Sequence, residues 1–374
     1  LSAVRTSFRS SPVGRRLDHY LVSEVLPLLV GGLLVVVVLF LLAALVEVLA
    51  PILAKGANPL LVAKLMAFKI PDAIGRGLPI ALLFAVLLAM SRLSSDSEIK
   101  SALAGGVGPV RLMVPVMVLA LGVSTVSFLN SELLVPRAES QVLQTQRDIL
   151  LDNPRVLVEE GTVFKDALGR AIYIDQILPG NELRGVRIIQ MGPGQPAREI
   201  MTAERGLIEP GSATIVLYEG QRVTYRDAKP VTAASFEEAR LPVQDLQASL
   251  NGTSDEVQPV NLPLGELRAR IAAYRSQSLP VYREETALNR KFAEPLAAVA
   301  FGFFGVTLAL YTFRTGGGLG LVWVMMLTFV YYATWSVFRI MGEQGALPPV
   351  IAAWAPDALY LIAGGVLLLL STRR

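Results

Sequence analysis

Uncharged apolar runs crowd both ends of the chain and are missing from its middle. Val25–Val46, Gly77–Ser91, Leu112–Ser131, Pro295–Phe313 and Thr315–Phe338 contain no charged residue, and Pro349–Leu370 contains only Asp357. Gly77–Ser91 has a more polar lead-in from about Leu61. A membrane-crossing helix needs about 20 predominantly apolar residues, so the pattern predicts six such helices, three before and three after the middle. The first run is too long for a cleaved secretory signal, which has a shorter apolar core.

The middle, from about Glu132 to Glu294, follows another rule. "VLVEEGTVFKD", "RAIYIDQI", "LRGVRIIQM" and "SATIVLYEGQRVTYRD" alternate apolar and polar residues and are rich in Val, Ile, Tyr and Thr, which predicts strands. "LPGNEL", "MGPGQP" and "IEPGSA" carry turn chemistry. About ten strands' worth of sequence without helices between them predicts a β-sandwich or jelly roll. "SLNGTSDEVQPVNLP" reads as a polar linker, and "LGELRARIAAY" as a helix leading back to the membrane. The division is thus 1–135 with the first three membrane helices, 136–262 as the β domain, 263–290 as a helical connector, and 291–374 with the last three.

Composition agrees with this picture: 53% of residues are hydrophobic and only 17% charged. Zero cysteines exclude a disulfide framework, and a single histidine, His19, leaves little for zinc. No phosphate-binding loop, HExxH or GxSxG motif occurs. No basic stripe with interleaved aromatics suits nucleic acid. No catalytic residue, metal site or cofactor is therefore expected, and the chain reads as a non-enzyme.

Lys and Arg near helix ends set orientation. Arg5, Arg9, Arg15, Arg16, Arg92, Lys100, Arg111, Arg314, Arg373 and Arg374 fall on one side, and Lys55 and Lys64 on the other. Both termini, the 92–106 stretch and the 313–318 turn are then cytoplasmic, and the β domain lies outside.

Two places carry candidate chemistry. In "RLSSDSEIKSALAGG" (92–106), Ser95 and Glu98 fit a capping box and Gly105-Gly106 a helix stop, giving a short helix over about Asp96–Ala104. Ile99, Ala102 and Leu103 share one face of it. Glu98 is then either a cap or a contact for a cytoplasmic partner. The second place is the set of charges at the membrane: Glu47, Lys64, Lys69, Asp72, Arg76, Arg339, Glu343 and Asp357. These either lie at interfaces, paired or snorkelling, or line a polar cavity. Lys69, Asp72 and Arg76 share one helix face, which Pro71 and Pro79 would bend or break.

Four stretches carry a likeness: "LDHYLVSEVLP" (17–27), "LPIALLFAVLLAMSRLSSDSEIKSALAGGVGPVRLMVPV" (78–116), "EEGTVFKDALGRAIYIDQI" (159–177) and "GALPPVIAAWAPDALYLIAGGVLLL" (345–369). In this order they resemble the LptF/LptG permeases, membrane subunits of the lipopolysaccharide exporter. The resemblance implies a jelly-roll β domain in the periplasm, handing lipid to LptC/LptA-type jelly-roll proteins. It implies an inner-membrane location and pairing with a homologous permease subunit, or with itself. It also implies an LptB-type ATPase dimer, which would bind ATP and Mg. It places a coupling helix at Ser95, Asp96, Ser97, Glu98, Ile99 and Leu103, with the family's characteristic glutamate at Glu98. It implies a lipid cavity gated by the first and fifth membrane helices, for which Glu47, Lys55, Lys69 and Arg76 are the candidates. One departure stands out: family members tend to have basic residues on the outer half of the first helix, where this chain has Glu47 and Lys55. The cargo is then a different lipid, or the partner subunit supplies the positive charge. An ion-coupled secondary transporter, or a membrane scaffold with a protein-binding β domain, is the competing reading. The first would need mid-helix carboxylates and inverted repeats.

Overall fold

The computed structural model describes residues 12–54, 56–152, 163–165, 170–178, 182–191, 197–208, 214–226, 229–242, 257–315 and 321–372. Residues 249–256 of the expected linker (249–263) and 316–318 of the expected 313–318 turn lie outside the described residues. The described residues divide into two compact units. The first comprises the chain up to Leu42, Lys69–Ala138 and Gln258 onward; the second comprises Ala43–Phe68 and Glu139–Val257.

The helices run longer than the apolar runs that announce them. Helix α1 spans Pro12–Ala44, passes into a π-helical turn at Leu45–Leu49, and resumes as α2 (Ala50–Ala54). Helix α3 (Pro59–Ser95) is continuous through Pro71 and Pro79, so the break expected there does not occur. After the short α4 (Glu98–Ala104), α5 (Pro109–Leu129) leads through a second π-helical turn, Asn130–Leu134, into α6 (Val135–Asp152). The boundary expected at 135/136 therefore falls inside a helical run. Helix α7 spans Leu264–Ser276. Helices α8 (Tyr282–Thr315), α9 (Leu321–Glu343) and α10 (Pro349–Thr372) complete the set, and Asp357 does not interrupt α10.

Among the described residues, five helical stretches are long and apolar enough to cross a membrane: Arg15–Glu47, Pro59–Ser95, Pro109–Gln146, Tyr282–Thr312 and Pro349–Ser371. Helix α9 overlaps the expected segment Thr315–Phe338 but is not among these five. The protein is a helical membrane protein with an inserted β domain.

The core of the first unit is a seam between α3 and α8. Leu82, Leu83, Val86, Leu87 and Met90 are fully buried, and so are Ala298, Phe301 and Val306. Leu112, Val116 and Ala120 of α5 complete it. By contrast α1 leaves Val30, Leu34, Val35 and Leu39 more than half exposed. In water such a surface would be unfavourable; in lipid it is matched.

In the second unit six strands form one antiparallel sheet in chain order: β1 (Val163–Lys165), β2 (Arg170–Leu178), β3 (Glu182–Met191), β4 (Ala197–Ile208), β5 (Thr214–Arg226) and β6 (Lys229–Pro242). Among the described residues the strands are fewer and longer than the turn signals suggest. Ile174, Val186 and Ala203 pair in register across β2–β4, and the row continues to Gly220 and Phe236. Together with Ile172, Ile188 and Leu217 they form one apolar face. Charged pairs flank this apolar row, as in Arg205–Glu219 and Arg222–Glu199.

Candidate functional site: a pinned short helix and a polar cavity

The 92–106 stretch folds differently from its capping-box reading. Helix α3 runs on through Ser95, whose hydroxyl donates back to Arg92 O (2.8 Å) rather than capping α4. The chain then turns at Ser97 in a left-handed conformation (φ 61°), with no side-chain cap. The stop is as expected. Gly106 sits at φ +86°. Its N–H reaches Leu103 O (3.1 Å) and that of Val107 reaches Ala102 O (3.0 Å), the paired bonds of a Schellman closure.

Glu98 is free of the cap and accepts instead from the Tyr20 hydroxyl at 2.7 Å. Two further ties join α1 to the same region. Arg111 grips Asp18 with both guanidinium nitrogens (2.6 and 2.8 Å), and Arg92 bonds Glu24 (2.8 Å) while lying 3.8 Å from Asp96. Each exposed pair is worth under about 1 kcal/mol, the bidentate one more. Together they hold α4 to α1, α3 and α5. Ile99 is 3% exposed and Leu103 packs on the same core, so both apolar residues face the chain's own interior. Asp96, Ser97, Glu98 and Lys100 remain exposed.

The charges of α3 lead to a second feature, a cavity of about 240 Å³ among α3, α5, α8 and α9. Asp72 and Arg76 line it and pair with each other (3.0 Å). Pro79, also on its wall, leaves Gly75 O without a helical donor, because proline has no N–H. The carbonyls are taken up from neighbouring helices: Ser127 Oγ lies 3.4 Å from Gly75 O, Tyr332 donates to Arg76 O (3.2 Å), and Asn130 donates to Pro71 O (2.8 Å). The first of these bonds answers the carbonyl that Pro79 leaves open, and all three tie α3 to its neighbours.

Across the cavity Arg290 is the hub. It pairs with Glu294 (2.7 Å) and with Glu343 (3.1 Å), and its guanidinium lies 4.9 Å from the centre of the Trp335 ring. Arg339 joins from α9, 3.5 Å from Glu343 and 5.3 Å from the same ring. Next to this cluster Lys291, 1% exposed, pairs with Glu132 of the second π-helical turn (2.8 Å). The other oxygen of Glu132 accepts the Leu264 N–H at the start of α7 (2.8 Å). Deeper in α10, Asp357 is 5% exposed and accepts from Tyr331 (2.9 Å).

Of the four cavity candidates, only Arg76 lines this space. Lys69 is half-buried about two turns earlier, outside the lining. Glu47 is exposed within the first π-helical turn, and Lys55 lies outside the described residues. Sequence reasoning did not single out Arg290, Glu294, Tyr332 or Trp335. The available signals were the i,i+4 pair Arg290/Glu294 and the aromatic run "YYATW" at 331–335.

The model of the lipopolysaccharide export system permease LptF/LptG family matches residues 19–370. The chain belongs to that family. It is similar to the permease protein LptF of Escherichia coli K12, with 22% identity over 363 residues, covering 95% of this chain and 94% of the relative. LptF of Shigella flexneri matches equally. LptG of Escherichia coli K12 is 18% identical over 285 residues, covering 76% of this chain and 78% of the relative. The match includes the pinned helix, the cavity and the β domain. The chain is thus a multi-pass permease subunit and not an enzyme, as the four stretches implied.

Proposed function

We propose that this permease takes lipopolysaccharide, or a related lipid, from the outer leaflet of the inner membrane and passes it to its β domain, driven by a separate ATPase. In this reading a homologous permease, or a second copy, completes the transport path. An LptB-type ATPase dimer, carrying ATP and Mg, engages α4 from the cytoplasm, where both termini also lie. LptC/LptA-type jelly-roll proteins receive the lipid from the periplasmic β domain.

The observation that carries the reading is the mounting of α4. Its apolar side is sunk in the chain's own core and its polar edge is outward. A push on Asp96, Ser97 or Glu98 is therefore transmitted through Ile99 and Leu103 to the α3 seam, and through Tyr20 to α1. The partner meets charge and backbone rather than an apolar ridge. ATP closure of the partner favours one of two global states, and the cavity narrows in that state. The cavity between Arg76 and Trp335 offers paired charges beside aromatic rings, an environment for an amphipathic headgroup. Glu47 adds no attraction for phosphate, so positive charge comes from Arg76, Arg290 or the partner.

The test is copurification in mild detergent, then transport in vesicles. The wild-type chain should bring an ATPase with it. Glu98→Ala should lose most of that association or of the transport while remaining folded. Normal binding and transport by Glu98→Ala would overturn the coupling role. A photocrosslinker at Trp335 that forms no adduct with lipopolysaccharide would overturn the cavity's role.

A further inference from the structure

A second depression, of about 400 Å³, lies where α7 meets the first turns of α8 and of α10. Arg268, Ile271 and Arg275 of α7 line it with Glu285 and Asn289 of α8 and Val350 of α10. It shares no residue with the cavity described above. At about 100° per residue, Glu285 and Asn289 fall on the side of α8 opposite Arg290 and Glu294.

Its depth in the membrane follows from α10. This helix has 24 residues, and from Val350 to Leu370 Asp357 is its one charged residue. At about 1.5 Å per residue it spans about 36 Å, little more than the hydrocarbon layer of about 30 Å. Val350 therefore stands at the edge of that layer, and the arginines of α7 stand among headgroups. Val350 and Ile351 are 57% and 50% exposed, and the exposed strip continues along α10 through Leu359 and Ile362.

The charges are unbalanced. Arg275 is ion-paired with Glu285. Arg268 is exposed and has no ion-pair or hydrogen-bond partner among the described residues. One uncompensated guanidinium thus sits over an apolar floor, Ile271, that runs out onto a lipid-facing helix. An anionic amphiphile meets both demands at once, since guanidinium pairs with phosphate and the strip receives acyl chains.

We infer that this groove holds an anionic glycerophospholipid of the surrounding membrane, its phosphate on Arg268 and its chains along Val350 and Ile351. The lipid wedges α7 against α8 and α10 on the side away from the cargo cavity. The assignment does not depend on how the cargo moves.

The test is native mass spectrometry of the full chain released from mild detergent, titrated with phosphatidylglycerol or phosphatidylcholine. Phosphatidylglycerol should be retained about fivefold better, as one arginine at a membrane surface provides. Arg268→Gln should remove that preference and Arg268→Lys should restore part of it, with unchanged circular dichroism. Should Arg268→Gln misfold, Ala272→Glu, which puts a negative charge on the exposed rim, should abolish the preference instead. Equal retention of the two lipids, or a preference that survives these variants, overturns the proposal. Displacement of phosphatidylglycerol by millimolar inorganic phosphate would mark a free-anion site. Displacement by equimolar lipopolysaccharide would mark a cargo site. Either result overturns the phospholipid assignment.

Discussion

The pair Lys291–Glu132 gives the sharpest test of the energetics. Lys291 is 1% exposed and its Nζ lies 2.8 Å from Glu132 Oε2 and 3.4 Å from Ser131 O. Lys291→Met keeps most of the volume and removes the charge, leaving the Glu132 carboxylate with only the Leu264 N–H. Breaking a buried pair by removing one partner costs about 3–5 kcal/mol. That is roughly two to three and a half decades in the unfolding equilibrium, at about 1.4 kcal/mol per decade. Glu132→Gln should cost a similar amount, because it strands the ammonium. The double variant has neither charge to strand, and the amide carbonyl introduced at position 132 still accepts from Leu264. Its cost should be well below the sum of the two single changes, with a coupling of about 2–3 kcal/mol. The measurement is reversible unfolding in mixed micelles, by titration with dodecyl sulfate and circular dichroism, for all four chains. If the single costs add, or if Lys291→Met costs less than about 1 kcal/mol, the pair is not the buried and mutually dependent one argued above.

Three further outcomes follow from the same geometry. Tyr20→Phe should remove the 2.7 Å bond to Glu98 and loosen α4 by about 1 kcal/mol, seen as faster amide exchange over Glu98–Ala104 with the α3 seam unchanged. Gly220→Ala would drive a Cβ against the Phe236 ring and to 2.6 Å from Thr202 O. The cost should be about 1–3 kcal/mol, detected as faster proteolysis within the β domain at unchanged helix content. Asp357→Asn should be tolerated because Tyr331 keeps an acceptor. Asp357→Leu, which strands that buried hydroxyl, should cost about 1–3 kcal/mol in the same micelle titration.

The legible parts of this chain were those the membrane dictates. Lipid admits long uncharged runs and little else, so the six apolar segments announced themselves. So did the change of period in the β domain. What escaped were features made by distance in sequence. Lys291 sits in "YREETALNRKFAEP", a polar stretch where the expected connector gives way to the fourth apolar run, yet it is buried because Glu132, 159 residues earlier, meets it. The capping box at Ser95 failed for a local reason. The pattern S-x-x-E is satisfied only if a helix starts there, and α3 had not yet ended. The rule that proline breaks a helix failed at Pro79 because Ser127 and Tyr332 reach the exposed carbonyls from other helices. Local rules set what each residue would do alone, and tertiary donors changed the answer.

The π-helical turn at Asn130–Leu134 has a consequence for how the chain tolerates change in length. Such a turn is an α-helix holding one residue too many. Removing one residue there lets the turn relax to ordinary helix while the flanking stretches keep their facing. The same deletion in mid-α5 would rotate everything beyond it by about 100° and drag Asn130 and Glu132 off their partners. The turn is a slack joint: a site where single-residue gaps can accumulate without rotating a wall of the cavity.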